Sequence, residues 1–229
     1  RKYSGGLFGY LSFESINYFE PSLNLGEHEN FENFKFGLFL DGLIYDRTTG
    51  EVNYFYYTKN RLEKVKHYIN SLKDFKDFDT DTKVTFLGDS LTKSEHSKIV
   101  EKTKQEIVKG NSFQCEVGFK SHFNIKGPKI NIYQKLREVN PSPYMYYTKF
   151  DKQILIGASP ELLFKLEDSY MTTFPLAGTV KRGENDKEDI RLARKLLNDE
   201  KEIAEHNMLI DLHRNDIGRV ARPGSVRVT

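Results

Sequence analysis

Apolar residues recur along the chain with two periods, and each change of period marks a change of element. Gly5 to Glu14 is a glycine-punctuated apolar segment, and Phe36 to Tyr57 holds two alternating aromatic and β-branched runs around Thr48-Thr49-Gly50, which predicts a hairpin. Leu62, Val65, Ile69 and Leu72 fall at helical spacing, predicting a short amphipathic helix over 61–72. Lys73 to Asp81 turns strongly polar and reads as a linker or surface loop. A capping-box pattern, Thr92-Lys93-Ser94-Glu95, then opens a helix whose apolar positions include Ile99, Val100 and Ile107, with Gly110 placed to end it.

Period two returns at Phe113, Cys115, Val117 and Phe119, which alternate with Gln114, Glu116, Gly118 and Lys120 and predict a strand with Cys115 on its apolar face and Gln114 on its polar one. A helix over 131–139 is expected to stop at Asn140-Pro141. Two hairpins follow, joining Tyr144–Phe150 to Ile154–Gly157 and Leu162–Leu166 to Met171–Phe174, with turns near Asp151-Lys152 and Asp168-Ser169. Helices over 187–197 and 200–214 come next, separated by Asn198-Asp199, and Val226–Thr229 reads as the start of a strand. Antiparallel hairpins with helices inserted between them indicate an α+β fold. The order divides into a β-rich part at 1–88, with a polar loop at about 73–83, and a second region at 89–229.

Composition narrows the function classes. With 35 basic and 33 acidic residues the net charge is +2 and no long run of one sign occurs, so nothing favours nucleic acid. One cysteine excludes an internal disulfide, and no apolar run approaches the roughly 20 residues of a membrane span. A soluble, cytoplasmic protein is expected. Arg1 stands first in place of methionine and the last strand has no closing element, so both ends look cut.

Glu205 shares a helical stripe with Met208, Leu209 and Leu212, which directs a carboxylate along an apolar face. Such a carboxylate is paired, hydrogen-bonded or metal-bound. The commonplace reading pairs it with Lys201, Arg214 or a cation from elsewhere in the chain; the sharper one makes it a ligand of a hard cation, with Glu202 beside it, although Glu202 also suits a capping role next to Asp199. Glu161, after Ser159-Pro160 at a strand start, is either a solvated strand end or a general acid. Pro175-Leu176-Ala177-Gly178-Thr179 is a tight turn able to present backbone N–H groups to an anion. The six histidines show no metal-ligand spacing.

These segments, together with the opening Gly5-Gly6-Leu7-Phe8-Gly9-Tyr10-Leu11-Ser12-Phe13 and with Asn140-Pro141-Ser142-Pro143-Tyr144-Met145, Gly157-Ala158-Ser159-Pro160-Glu161-Leu162-Leu163 and Ala204-Glu205-His206-Asn207-Met208-Leu209-Ile210-Asp211-Leu212-His213-Arg214-Asn215-Asp216, resemble consecutive motifs of the chorismate-utilising enzymes. In detail they resemble the anthranilate synthase component I branch of that family. The resemblance implies part of the chorismate-binding fold, with Glu205 as a Mg²⁺ ligand, Glu202 as outer support for the ion, Glu161 as the acid that helps the ring hydroxyl leave, and Ala177, Gly178 and Thr179 lining the substrate site. Gln114 stands where water-using members carry a lysine base, and Ala177 where typical aminodeoxychorismate synthases carry an attacking lysine; an amide and a methyl group can do neither. Around Gln114 the family often has Val-Val-Leu-Ser, and Cys115, Glu116, Val117 and Gly118 stand here.

By the same resemblance the reaction is Mg²⁺-dependent amination of chorismate with ammonia from a glutamine amidotransferase subunit, then pyruvate elimination to give anthranilate, the first step of tryptophan biosynthesis. Asn140, Pro141, Ser142, Pro143, Tyr144 and Met145 are similar to half of the site at which tryptophan inhibits such enzymes. Residues completing the active site would follow Thr229, so the chain is expected to be a fragment, inactive alone and with apolar surface uncovered. Two alternatives stay open: an aminodeoxychorismate synthase, and a non-catalytic binding module.

Overall fold

The computed structural model describes residues 5–72 and 81–229, so most of the polar stretch expected as a loop lies outside the described residues. The opening glycine-aromatic segment forms strand β1 (Gly6–Leu11), followed by two 3₁₀ turns at Phe13–Tyr18 and Pro21–Leu23. The long alternating run divides at Leu40 into β2 (Phe34–Phe39) and β3 (Asp41–Tyr45); β2 pairs antiparallel with β1, while β3 forms the expected hairpin with β4 (Val52–Tyr56). Helix α1 (Leu62–Ser71) closes this part.

Strand β5 (Lys83–Asp89) leads into α2 (Lys93–Val108), whose capping box forms as the sequence requires: Thr92 Oγ1 accepts from Glu95 N, and the Glu95 carboxylate accepts from Thr92 N at 2.8 Å. The next strand is displaced from its expected place. β6 spans Ser121–Lys126 and pairs antiparallel with β5, whereas 113–119 is irregular. The cause is the partner's length: β5 ends at Asp89, Ser90 N and Oγ bond the backbone of Lys120, and nothing continues the ladder toward Phe113. Cys115, expected in a core, is therefore exposed, and so is Gln114.

Helix α3 (Ile130–Val139) stops before Pro141, and β7 (Tyr144–Phe150) pairs with β8 (Gln153–Ser159). β9 (Leu162–Glu167) and β10 (Tyr170–Phe174) form the last antiparallel pair. Asp151 and Asp168 take the left-handed turn conformation, φ 49° and 55°, at the two predicted hairpin turns. Helix α4 (Asp186–Leu197) starts at Asn185, whose side chain accepts from Glu188 N at 3.0 Å. Helix α5 (Glu200–Gly218) starts at Asp199, which accepts from Lys201 N and Glu202 N, and it runs four residues past its expected end. Residues 226–229 form no strand.

The fold is thus α+β, with ten strands in five two-stranded antiparallel or hairpin pairs and five α-helices among the described residues. Residues Arg1–Lys135 with Tyr147–Leu155 make one compact unit, and Leu136–Tyr146 with Ile156–Thr229 a second. Two strands leave both faces of a ladder open, so no apolar side chain among the described residues is fully buried: Phe123 is 48% exposed and Leu163 81%. The expectation of uncovered apolar surface agrees with this. No described helix is long and apolar enough to cross a membrane.

Within the first unit a polar cluster does the tying that a core does elsewhere. Glu32 receives Lys35 Nζ at 2.7 Å, Gln153 Nε2 at 3.0 Å and Tyr10 O–H at 3.2 Å, and Gln153 Nε2 also donates to Asn30 O at 2.6 Å. The Lys35 ammonium foremost, then backbone N–H and the Gln153 amide, hold the Glu32 carboxyl down to about 2. Because the folded value lies below the ordinary 4.5, the stabilisation is complete above about pH 4.5 and disappears as pH falls through about 2. An NMR titration of the Gln153 side-chain amide is expected to show it unchanged at pH 4 and shifting only near pH 2, and Glu32→Gln is expected to abolish that step.

Candidate active site

Glu161 begins where Pro160 has broken the β8 ladder, so its side chain is free of the sheet and reaches the segment after β10. Its Oε1 accepts the backbone N–H of Leu176 at 3.0 Å. The residue is exposed, yet it is more than a solvated strand end, because it fixes the first peptide of the Pro175–Thr179 turn. Since Oε1 is an acceptor there, a proton held by Glu161 sits on Oε2.

The turn itself is set by Gly178, at φ +63° in the left-handed region. A Cβ at this position would stand 2.8 Å from Glu202 Oε2 and 3.1 Å from Leu196 Cδ1, so the glycine lets the backbone lie directly against the first turn of α5. Asp199, as the cap, orients that turn, and Glu202 stands half-buried against Gly178 with Lys201 Nζ 3.8 Å away. The structure thus brings together Glu161, Leu176–Gly178 and Glu202, with Ala177 half-buried in the turn and Thr179 exposed at its end.

Glu205 lies one helical turn further along α5, on the face of Glu202, and is half-buried. Neither of the two named cations takes it: Lys201 faces Glu202, and Arg214 faces Asp211 at 3.3 Å. Among the described residues Glu205 has no ion pair. Two carboxylates three residues apart on one helical face supply hard oxygen donors, and Mg²⁺ is commonly held through one or two carboxylates plus water. Among the described residues no three His, Cys, Asp or Glu side chains cluster so as to hold a metal ion, so an ion here would rest on these two carboxylates and water.

The far side of the loop is anchored as well. Asp189, in the first turn of α4, receives Arg182 Nε at 2.7 Å and Gly183 N at 2.8 Å on Oδ1, while Arg182 Nη2 lies 2.7 Å from Oδ2. The guanidinium first, then the Gly183 N–H, lowers the Asp189 carboxyl from its ordinary value. Gly183 is packed so tightly that a Cβ would stand 2.7 Å from the Cα of Asp189. The local sequence signal for this anchor is an Arg-Gly pair just before a capped helix.

A second feature escaped the sequence reading. Leu163, Phe164, Met171, Thr173, His213, Asp216 and Ile217 line a cleft of about 300 Å³ between the β9–β10 hairpin and the end of α5. Thr173 gives its proton to Leu163 O at 2.8 Å, so its oxygen accepts from His213 Nδ1–H, also at 2.8 Å. His213 has no metal-ligand spacing in the sequence, and its partner lies 40 residues away.

The remaining expected residues lie elsewhere. Asn140 caps the end of α3, Ser142 and Met145 are half-buried, and Pro141, Pro143 and Tyr144 are exposed. Gln114 belongs to the other unit.

Comparison with known proteins decides the family. The family described as chorismate binding enzyme matches residues 1–229. The chain belongs to that family. Anthranilate synthase component 1 of Leptospira biflexa is 49% identical over 226 residues, covering 99% of this chain and 49% of the relative, and that of Methanothermobacter thermautotrophicus is 39% identical over 231 residues, covering 100% and 48%. The crystal structure of anthranilate synthase component I from Streptococcus pneumoniae TIGR4 superposes with a TM-score of 0.78 at 28% identity, covering 99% of this chain and 53% of that one. The chain therefore spans about half the length of the relatives it matches, and its fold is part of theirs.

Gly178→Ala is expected to disturb the turn through both its left-handed backbone and the clash with Glu202, at a cost of roughly 1–3 kcal/mol. Urea unfolding compared with an alanine at exposed Gly50, also at positive φ but with open space around it, would separate the clash from the backbone effect.

Proposed function

We propose that this chain carries part of the active site of an anthranilate synthase large subunit, which aminates chorismate and eliminates pyruvate to give anthranilate. The observation that supports this most is the convergence of Glu161 and Glu202 on one glycine turn, Leu176–Gly178, with Glu205 one helical turn away and without an ion pair among the described residues. That arrangement offers an acid, a backbone cradle for an anionic substrate and hard oxygen donors within a single unit.

In this reading the turn from Ala177 to Thr179 binds and orients chorismate. Glu161 donates the proton on Oε2 to the ring hydroxyl, which leaves as water while ammonia adds to the ring. Loss of pyruvate then makes the ring aromatic. Mg²⁺ held by Glu205, with Glu202 in support, would supply charge neutralisation for the ring carboxylate. Gln114 and Ala177 favour ammonia over the alternatives, because neither can activate water or attack the ring as a lysine would. The ammonia would come from a glutamine amidotransferase subunit. Asn140 to Met145 would contribute to a tryptophan site, which makes feedback control by tryptophan part of the proposal. The protein would act in the cytoplasm.

Given chorismate, Mg²⁺ and ammonium, the full-length natural protein carrying these residues is expected to form fluorescent anthranilate and pyruvate. Glu161→Gln is expected to lower kcat by about 10² to 10⁴, and Glu205→Ala to abolish the Mg²⁺ dependence. An amino-chorismate product that keeps its enolpyruvyl group would sink the assignment and indicate the folate-pathway sibling. The 229-residue chain alone is expected to give no anthranilate, since Glu161 is exposed and Glu202 and Glu205 are only half-buried; turnover by it would show that the described residues suffice.

A further inference from the structure

The turn from Leu176 to Gly178 has anchors on both sides. On the incoming side the Glu161 carboxylate accepts from Leu176 N; on the outgoing side Asp189 holds Gly183 N and the Nε–Nη2 edge of the Arg182 guanidinium. Only Val180 and Lys181 lie between Thr179 and the Asp189-held residues. Five residues, Ala177 to Lys181, join the anchored Leu176 to the anchored Arg182, so the outgoing anchor limits where Thr179 can stand.

We propose that Asp189 is a positioning residue for substrate: it acts through Arg182 and Gly183 to hold the 177–179 turn in its binding geometry, without touching the reacting atoms itself. Three features distinguish this from an ordinary surface ion pair. The fork is bidentate, which fixes orientation as well as distance. The same carboxylate also takes a backbone N–H, so the constraint reaches the main chain and is more than a side-chain contact. And Gly183 lies so close to the α4 backbone that no other residue fits, so loop and helix move as one body. Asp189 is itself carried on a capped helix, with Asn185 bonding Glu188 N and Glu188 Oε2 taking Glu184 N at 3.0 Å. The anchor point is therefore rigid on the scale of the loop that it holds.

The proposal rests on the reading of 177–179 as the chorismate-binding turn, and two measurements keep the two apart. Lys181 and Arg182 are exposed trypsin sites inside the anchored segment. In the 229-residue chain, Asp189→Ala is expected to speed cleavage after these two residues several-fold, read as the corresponding fragments by mass spectrometry, with Asp189→Asn intermediate because its amide oxygen can still accept from Gly183. Cleavage at other sites serves as the check that each variant has folded. Equal rates at 181 and 182 in wild type and both variants would overturn the anchor.

In the full-length natural protein, Asp189→Ala is expected to lower kcat/KM for chorismate by roughly 10- to 100-fold, chiefly by raising KM, with Asp189→Glu recovering part of the loss. Faster cleavage with unchanged KM and kcat would overturn the positioning role. A wild-type protein that does not turn over chorismate would instead refute the functional reading, and the proteolysis result would still judge the anchor.

Discussion

Backbone pairing within two-stranded ladders is the constraint on which this structure depends. Side-chain burial cannot carry it, because no apolar side chain among the described residues is fully enclosed. Each ladder is two strands wide, so its hydrogen bonds are satisfied internally while its faces stay open. Order within the first unit then comes from polar ties such as Glu32 with Lys35, Gln153 and Tyr10, and Asp41 with Arg61 and Tyr54. Exposed pairs of this kind are individually weak, and they matter here because each joins elements that no shared core holds.

The site in the second unit is built on the same economy. Its carboxylates are used as acceptors for main-chain N–H groups: Glu161 for Leu176, Asp199 for the start of α5, Asp189 for Gly183. A carboxylate that accepts from the backbone fixes chain path more directly than one paired with a long cation. Glu205 differs from these three: it is half-buried and makes no ion pair among the described residues.

Much of this was legible in the sequence where the signal is local. Thr92 and Glu95, Asp199, and the turn aspartates 151 and 168 all did what their chemistry prescribes, and the helices and hairpins fell within a few residues of their expected ends. The failure at 113–119 is instructive: the alternation of Phe113, Cys115, Val117 and Phe119 is sound as a pattern, but a strand needs a partner of matching length, and β5 stops at Asp89. Patterns report which faces are apolar, and they do not report where a partner ends. For the same reason the Thr173–His213 bond and the Asp189 anchor were not foreseen, since each joins residues whose meeting only the folded chain decides. Glu161, Gly178 and Glu202 were each nominated separately, and their convergence was the new information.

The spacing of the strand pairs also sets an order of events for the emerging chain. β9 and β10 are joined by two residues and β7 and β8 by two, so each ladder can zip as soon as its second strand is available, on the scale of about 1–10 μs for a hairpin. β5 must wait until α2 and the irregular stretch after it have been made before β6 arrives, and β1 must wait for two 3₁₀ turns before β2. Synthesis, at seconds rather than microseconds for such lengths, thus leaves β1 and β5 as unpaired edges for a measurable interval. Those two strands, more than any residue of the site, are where a growing chain would meet the wrong neighbour.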